Sequence, residues 1–336
     1  MKDIAERAGC SVNTVSRALR GDRMISAGRR AQIRALAEEM GYRPDPLVSA
    51  LCGRIASRRE GKHFQATVAL LNPLETVSRA VLLDRMMAAA RGRLEERGYH
   101  LERFPYAQWR DKGDRFTGML RARGILGLIL LHFPQPRFRL DWDLSGLALV
   151  AFGYSLEEPV LHRVADNGAQ AIELVLENIT RLGYRRPGLV LSSFQHEESH
   201  GIRTGMLLVW HHNRRVKDPV PPFTDWMQGI GDPAPFLAWY DAHRPDVLLA
   251  HDYRAIELLG RARGLRCPQD VAFVDLNRGA SGKPRAGIDI NPEGCGLALA
   301  DLTVAQIQRN ERGVPADPRV TLVRPRWIDG PSCPAR

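Results

Sequence analysis

The chain predicts an α + α/β protein. A small three-helix head and a hinge helix precede a larger, two-lobed α/β body. Three observations carry that reading. The first twenty residues set Ile4, Ala5, Ala8, Val15 and Leu19 at helical spacing on either side of a Gly9-Cys10 turn. From Ala66 onward, apolar runs of strand length alternate with helix-length amphipathic stretches. The basic charge is also uneven. Residues 1–62 carry thirteen Lys/Arg against seven Asp/Glu, a net +6, whereas the rest of the 336 residues carries only +4.

In the head, helix one runs through Ile4, Ala5 and Ala8. Helix two buries Val15 and Leu19 and opens on a polar face. Two short helices joined in this way form a helix-turn-helix, which lays its second helix in the DNA major groove. Helix three is expected to start at Ser26 as N-cap, to carry Ile33, Leu36, Ala37 and Met40, and to stop at Gly41. In the following segment Asp45 is a good N-cap and Pro46 a good first helical residue, with Leu47, Val48 and Leu51 on one apolar edge. So short a helix is unstable alone in water and needs a partner surface. Arg54, Arg58, Arg59 and Lys62 follow in a polar linker.

In the body, strands are expected at 66–71, 101–106, 125–131, 147–152, 187–192, 247–250, 271–275 and 286–290. Helices are expected at 79–97, 111–123, 166–182, 201–212, 233–243, 253–263 and 292–309, with Asp166 as the cap of the third. Alternation of this kind builds parallel sheets with helices on both faces. The strands are too many for one comfortable sheet, hence two lobes.

The basic head suits a part that neutralises phosphates. The five cysteines (Cys10, Cys52, Cys267, Cys295, Cys333) form no CxxC pair, which fits a reducing compartment. The N-terminus is polar and helical, unlike an export leader. No apolar run approaches the ~20 residues needed to cross a bilayer. A cytoplasmic, nucleoid-associated protein is expected, with no membrane partner.

The string Lys2-Asp-Ile-Ala-Glu-Arg-Ala-Gly-Cys-Ser-Val-Asn-Thr-Val-Ser-Arg-Ala-Leu19 resembles the lactose-repressor (LacI) family of bacterial transcription regulators. So does Gly41-Tyr-Arg-Pro-Asp-Pro-Leu47. In the body, Leu182-Gly-Tyr-Arg-Arg-Pro-Gly188, Arg244-Pro-Asp-Val247 and Asp270-Val-Ala-Phe-Val274 fall where that family has similar strings. The resemblance implies a type I periplasmic-binding-protein-like body with an effector between its lobes. It also implies a homodimer on a near-palindromic operator in double-stranded DNA, acting as a repressor, without catalysis or cofactor. The expected divisions are a DNA-binding domain at 1–44, hinge and linker at 45–65, and an effector and dimerisation domain at 66–330. Within the last, lobe N takes about 66–160 plus 291–316, and lobe C about 161–290 plus 317–330.

Carried over by position, Val12, Asn13 and Arg17 read base edges, while Ser11, Thr14 and Ser16 hold phosphates or base edges. The chemistry agrees: Asn can bond adenine N6 and N7 together, Arg can bond guanine O6 and N7, and Val can pack on a thymine methyl. Leu51 falls on the family's minor-groove wedge, flanked by Leu47 and Val48. Such wedges unstack a base step and are repaid by the contacts that the bend permits. Met1 leaves helix one without its usual Ser or Thr cap. Asp45 stands for Asn, Val48 for a small Ala and Ser49 for Arg, so operator affinity is expected to depart from the family norm.

For the effector, Asp252 matches a cleft-lining Asp, although His251 replaces its usual Asn neighbour. Trp226 sits where some members stack a sugar ring, and Asn277 where Asp is common. Arg203, in Ile202-Arg-Thr-Gly205, is one position off the family's sugar-grasping Arg, and His200 lies nearby. The resemblance implies a sugar or related polar metabolite; these changes suggest an effector unlike common hexoses, or a weakly inducible site. After Trp327 there is no apolar heptad tail, so a dimer is expected rather than a coiled-coil-tied tetramer.

A different class remains open. His196-Glu-Glu-Ser-His200 fits H-E-x-x-H, which on a helix would set both imidazoles toward zinc with Glu197 as base and make a metallohydrolase. Following a strand directly, it reads instead as a loop entering a helix. A pure solute-binding protein is the other rival, disfavoured by the DNA-reading head.

Overall fold

The computed structural model describes residues 2–19, 25–40, 66–73, 80–133, 135–226, 231–278 and 283–336. The chain divides into two compact units between His63 and Phe64.

The first unit contains α1 (Lys2–Arg7), α2 (Val12–Leu19) and α3 (Ala27–Glu39). Gly9 turns the chain between α1 and α2 at φ +59, a conformation that side chains with a Cβ resist. Ile4, Ala5, Ala8, Val15, Ala18, Ile33 and Ala37 form one small core, with Leu19, Leu36 and Met40 packed on its edge. Ser26 caps α3, its hydroxyl accepting from the Arg29 N–H at 3.4 Å. The Arg29 guanidinium donates to the Ala8 carbonyl and so ties α3 to the end of α1.

In the second unit, a parallel six-stranded sheet has the order β12-β7-β5-β3-β1-β2. Its strands are β1 (Ala66–Asn72), β2 (Tyr99–Pro105), β3 (Gly127–Leu130), β5 (Ala148–Phe152), β7 (His162–Asp166) and β12 (Val320–Val323). Two short strands, β4 (Phe138–Arg139) and β6 (Leu156–Glu158), pair beside it. The helices α4 (Ala80–Glu96), α5 (Gly113–Ala122) and α11 (Pro292–Arg309) cover it. A second sheet, in the order β13-β11-β10-β9-β8, joins β8 (Pro187–Val190), β9 (Val247–Ala250), β10 (Ala272–Asp275) and β11 (Gly287–Asp289) in parallel. An antiparallel edge, β13 (Arg326–Ile328), closes it. Its helices are α6 (Gly168–Arg181), α7 (Ser193–Glu198), α8 (Ile202–Asn213), α9 (Ala234–His243) and α10 (Arg254–Arg263).

Helices on both faces explain why the strands read as continuous apolar runs rather than alternating ones. Val68 and Leu70 pack to one side of the first sheet, Ala69 and Leu71 to the other. In the second sheet Leu249 and Leu248 part in the same way. The two sheets are the cores of lobes N and C.

Three expectations are corrected. Asp166 is not the cap of α6 but the last residue of β7. Asn167 is the cap, its side chain accepting from the Gln170 N–H at 3.1 Å. The chain also crosses between lobes later than boundaries at 160/161 and 316/317 would have it. Both β7 and β12 hydrogen-bond into the first sheet, so lobe N keeps them, and of the tail it is β13 and the residues after it that join lobe C. Finally, residues 193–198 form a short helix rather than a loop.

Candidate functional site

In the head, the second helix has a buried and an open side. Val15 and Ala18 are fully buried. Val12 is 42% exposed, and Ser11 is exposed beside it. The Ser11 hydroxyl accepts from the Thr14 N–H at 3.1 Å and meets the Thr14 hydroxyl at 2.9 Å. It therefore caps α2 as well as facing outward. Asn13, Ser16 and Arg17 lie on α2, but their side chains are outside what the structure describes. Leu47, Val48 and Leu51 lie outside the described residues altogether.

The second site is a cavity of about 90 Å³ between the two sheets of the body. Lobe N contributes His132, just past β3, then Gly153 and Tyr154 past β5, and Asp166 at the end of β7. Lobe C contributes Glu198, Ser199, Ile202 and Arg203 from the α7–α8 corner. These are the carboxyl ends of parallel strands, where open α/β sheets bind ligands.

Contacts among the described residues cross this cleft. The His132 Nδ1 lies 2.8 Å from the Glu198 Oε1. The Arg203 guanidinium stands 4.0 Å from the Asp166 carboxylate and donates to the Gln195 carbonyl at 3.3 Å. The Tyr154 ring meets the His200 ring edge-on at 5.8 Å. Beneath Tyr154, the buried Arg163 donates to the carbonyls of Gly153 and Leu156 and so fixes the loop that carries the tyrosine. Burial lowers the pKa of Arg163 and raises that of Tyr154.

Of the five residues the sequence points to, Arg203 lines this cavity. His200, in a left-handed conformation at φ +49, touches Tyr154 at its edge. Trp226 and Asp252 pair with each other elsewhere on lobe C: the indole N–H donates to Asp252 Oδ2 at 3.3 Å, and Arg254 Nε donates to the same oxygen at 2.7 Å. Burial would raise the Asp252 pKa, but the hydrogen bonds from Arg254 and Trp226 outweigh it and hold the carboxyl below its ordinary value. Trp226 and Arg254 border a wider hollow of about 640 Å³. Asn277 donates its N–H to Asp275 at 2.9 Å, and its side-chain oxygen is buried with no partner among the described residues. Sequence reasoning missed His132, Tyr154 and Glu198 and read Asp166 as a cap. The available signal was position, since His132, Gly153-Tyr154 and Asp166 each end or follow a strand of the first sheet.

The H-E-x-x-H string does not assemble. α7 ends at Glu198, and His200 turns left-handed, so His196 and His200 share no helical face. The His196 Nδ1 pairs with the Thr204 hydroxyl at 3.1 Å. Among the described residues, no group of three or more His, Cys, Asp or Glu is placed to hold a metal ion.

Residues 1–45 match the family model for bacterial regulatory proteins of the lacI family. Over those residues the chain is similar to the LacI family. A relative across most of the length is the HTH-type transcriptional repressor PurR of Serratia proteamaculans (strain 568), 22% identical over 281 residues, covering 82% of this chain and 79% of that protein. Among solved structures, the lac repressor dimer bound to operator and the anti-inducer ONPF superposes with a TM-score of 0.59 at 16% identity, covering 99% of this chain and 98% of the other. The transcriptional regulator CelR in complex with cellobiose gives 0.57 at 20% identity, covering 98% of both chains. The fold these structures share therefore runs the length of the chain: a helix-turn-helix head and a two-sheet, periplasmic-binding-like body.

Proposed function

We propose that the chain is a LacI-family regulator, a homodimeric transcription repressor that binds a near-palindromic operator and is controlled by a small polar molecule, a sugar or related metabolite, held between its lobes. One observation carries the DNA part. α2 buries Val15 and Ala18 completely while Ser11 and Val12 stay exposed, which leaves a helix face free to enter a major groove. On that face Val12, Asn13 and Arg17 are assigned to base edges, and Ser11, Thr14 and Ser16 to the groove wall. The hinge residues Leu47, Val48 and Leu51 are assigned to the minor groove at the operator centre. The cavity among His132, Asp166, Glu198 and Arg203 supports the effector part, because charged and hydroxyl-bearing groups from both lobes converge on it.

The deciding experiment is selection of binding sites from random duplex DNA by the purified chain, repeated with a panel of sugars. Enriched inverted repeats, with occupancy altered by one sugar, are expected. Retention of all sequences alike overturns the assignment.

A further inference from the structure

We propose that His132 and Glu198 form a latch that holds the two lobes together in the absence of ligand, and that an effector acts by taking this latch apart. The proposal rests on the reading of the cleft as the effector site. A carboxylate can only accept, so the hydrogen on the 2.8 Å bond belongs to the His132 Nδ1, in the neutral tautomer or in the imidazolium alike. Both side chains are only 11% exposed. Separating the lobes would break this short, charge-assisted hydrogen bond and exchange it for contacts with water.

Each partner is held in place by its own lobe. The His132 ring meets Phe152 edge-on at 5.0 Å and approaches the Ser155 hydroxyl at 3.5 Å. That hydroxyl is fixed in turn by the Phe133 N–H at 2.8 Å. Gly153, at φ +72, leaves the space for the ring: a Cβ there would lie 2.1 Å from the His132 Cε1. Glu198 closes α7, whose start is locked by a capping box in which Ser192 and Gln195 bond reciprocally. The other charges facing the cleft, Asp166 and Arg203, stand 4.0 Å apart, and Arg203 also holds the Gln195 carbonyl on the same helix. The latch is therefore the short contact in a ring of longer ones.

This geometry restricts the ligand. A molecule that opens the pair has to offer His132 an acceptor and Glu198 a donor at once. Neighbouring hydroxyls of a polyol do both. A simple anion would leave the Glu198 carboxylate facing another negative charge.

Hydrogen exchange on the full-length protein, with no effector added, tests the latch independently of any ligand. In the native chain the segments around 127–133 and 193–203 should exchange slowly. Glu198→Ala should speed both by about tenfold while β9 at 247–250 keeps its protection. Glu198→Gln, which keeps the shape and one acceptor, should fall between. The exchanged pair His132→Glu with Glu198→His should restore slow exchange. Unchanged rates in Glu198→Gln and Glu198→Ala, or a rise spread evenly over the body, would overturn the latch. Because no effector enters this experiment, a failure of the sugar selection bears on the effector reading alone.

Discussion

Arg203 and Asp166 face each other across the cleft at 4.0 Å, one on the first turn of a lobe C helix and the other at the end of a lobe N strand. That distance is an ion pair without a hydrogen bond, since charge-assisted bonds run to about 2.7–2.9 Å. The side chains are 16% and 20% exposed, so each keeps room to turn to a ligand. Arg203→Met should therefore lower stability by only about 1 kcal/mol. It should weaken binding of the selected effector roughly 10–100-fold, the worth of a charged hydrogen bond. Thermal melting and a fluorescence titration measure the two effects. A large loss of stability with unchanged affinity would mean that Arg203 supports the fold rather than the ligand.

Two glycines on the paired helices α4 and α11 should respond in opposite ways to the same substitution. A Cβ on Gly296 would lie 2.0 Å from the Met86 carbonyl oxygen and 3.0 Å from the Ala90 nitrogen, both backbone atoms. Neither can swing away, so Gly296→Ala forces the helices apart and should destabilise by about 1–3 kcal/mol or more. Gly92, exposed within α4, has nothing within 4 Å of its would-be Cβ. Gly92→Ala should stabilise by about 0.5–1 kcal/mol through helix propensity. Urea unfolding of the two variants reads the contrast.

Buried thiols make the fold sensitive to alkali. Burial pushes Cys295 up from 9.0 to about 12, with Asp166, Asp289 and Glu293 adding to it. Burial likewise pushes Cys333 to about 12, against an opposing hydrogen bond to Tyr184. In the unfolded chain these thiols lose their protons near the ordinary value, while the folded chain retains them. The contribution is therefore complete below about pH 9 and is lost as pH rises from there toward about 12, at about 1.4 kcal/mol per pH unit for each group. Urea midpoints at about pH 8 and about pH 10.5 should show the fall, and Cys295→Ala should shallow it. Midpoints that do not move over that range would contradict it.

The architecture was legible because both its periods are local. β9 at 247–250 and α11 at 292–309 carry unbroken patterns, one a four-residue apolar run and the other a capped, Pro-started helix. β12 and β13 were not legible. Val320 and Leu322 lie on an edge strand and remain half exposed, so no burial pattern marks it. Asp166 was misread because two good capping residues stand side by side, and only the register of β7 against β12 shows that the chain is still a strand at 166. The cleft shows the limit most plainly. Arg203 sits in a recognisable string, whereas His132 and Glu198 are 66 positions apart and meet only when the two lobes fold.

DNA binding of the proposed kind makes separate demands on the head and on the hinge. Asn13, on α2, is assigned to a base edge, where a bidentate contact discriminates by about 1–3 kcal/mol. Asn13→Ala should therefore relax preference at one symmetric pair of operator positions and leave the others sharp. Leu51→Ala, at the assigned wedge, should weaken specific binding more than binding to random DNA, because only the specific complex opens a base step. Both should keep a steep salt dependence, as much as ~10³-fold between about 50 and 200 mM if several phosphates are contacted, because neither removes a cation. Equilibrium binding to the selected operator and to scrambled DNA across that salt range measures all three. Equal losses on both DNAs for Leu51→Ala would refute the wedge. A flat salt profile would refute the view that the +6 of the first 62 residues serves phosphate contact.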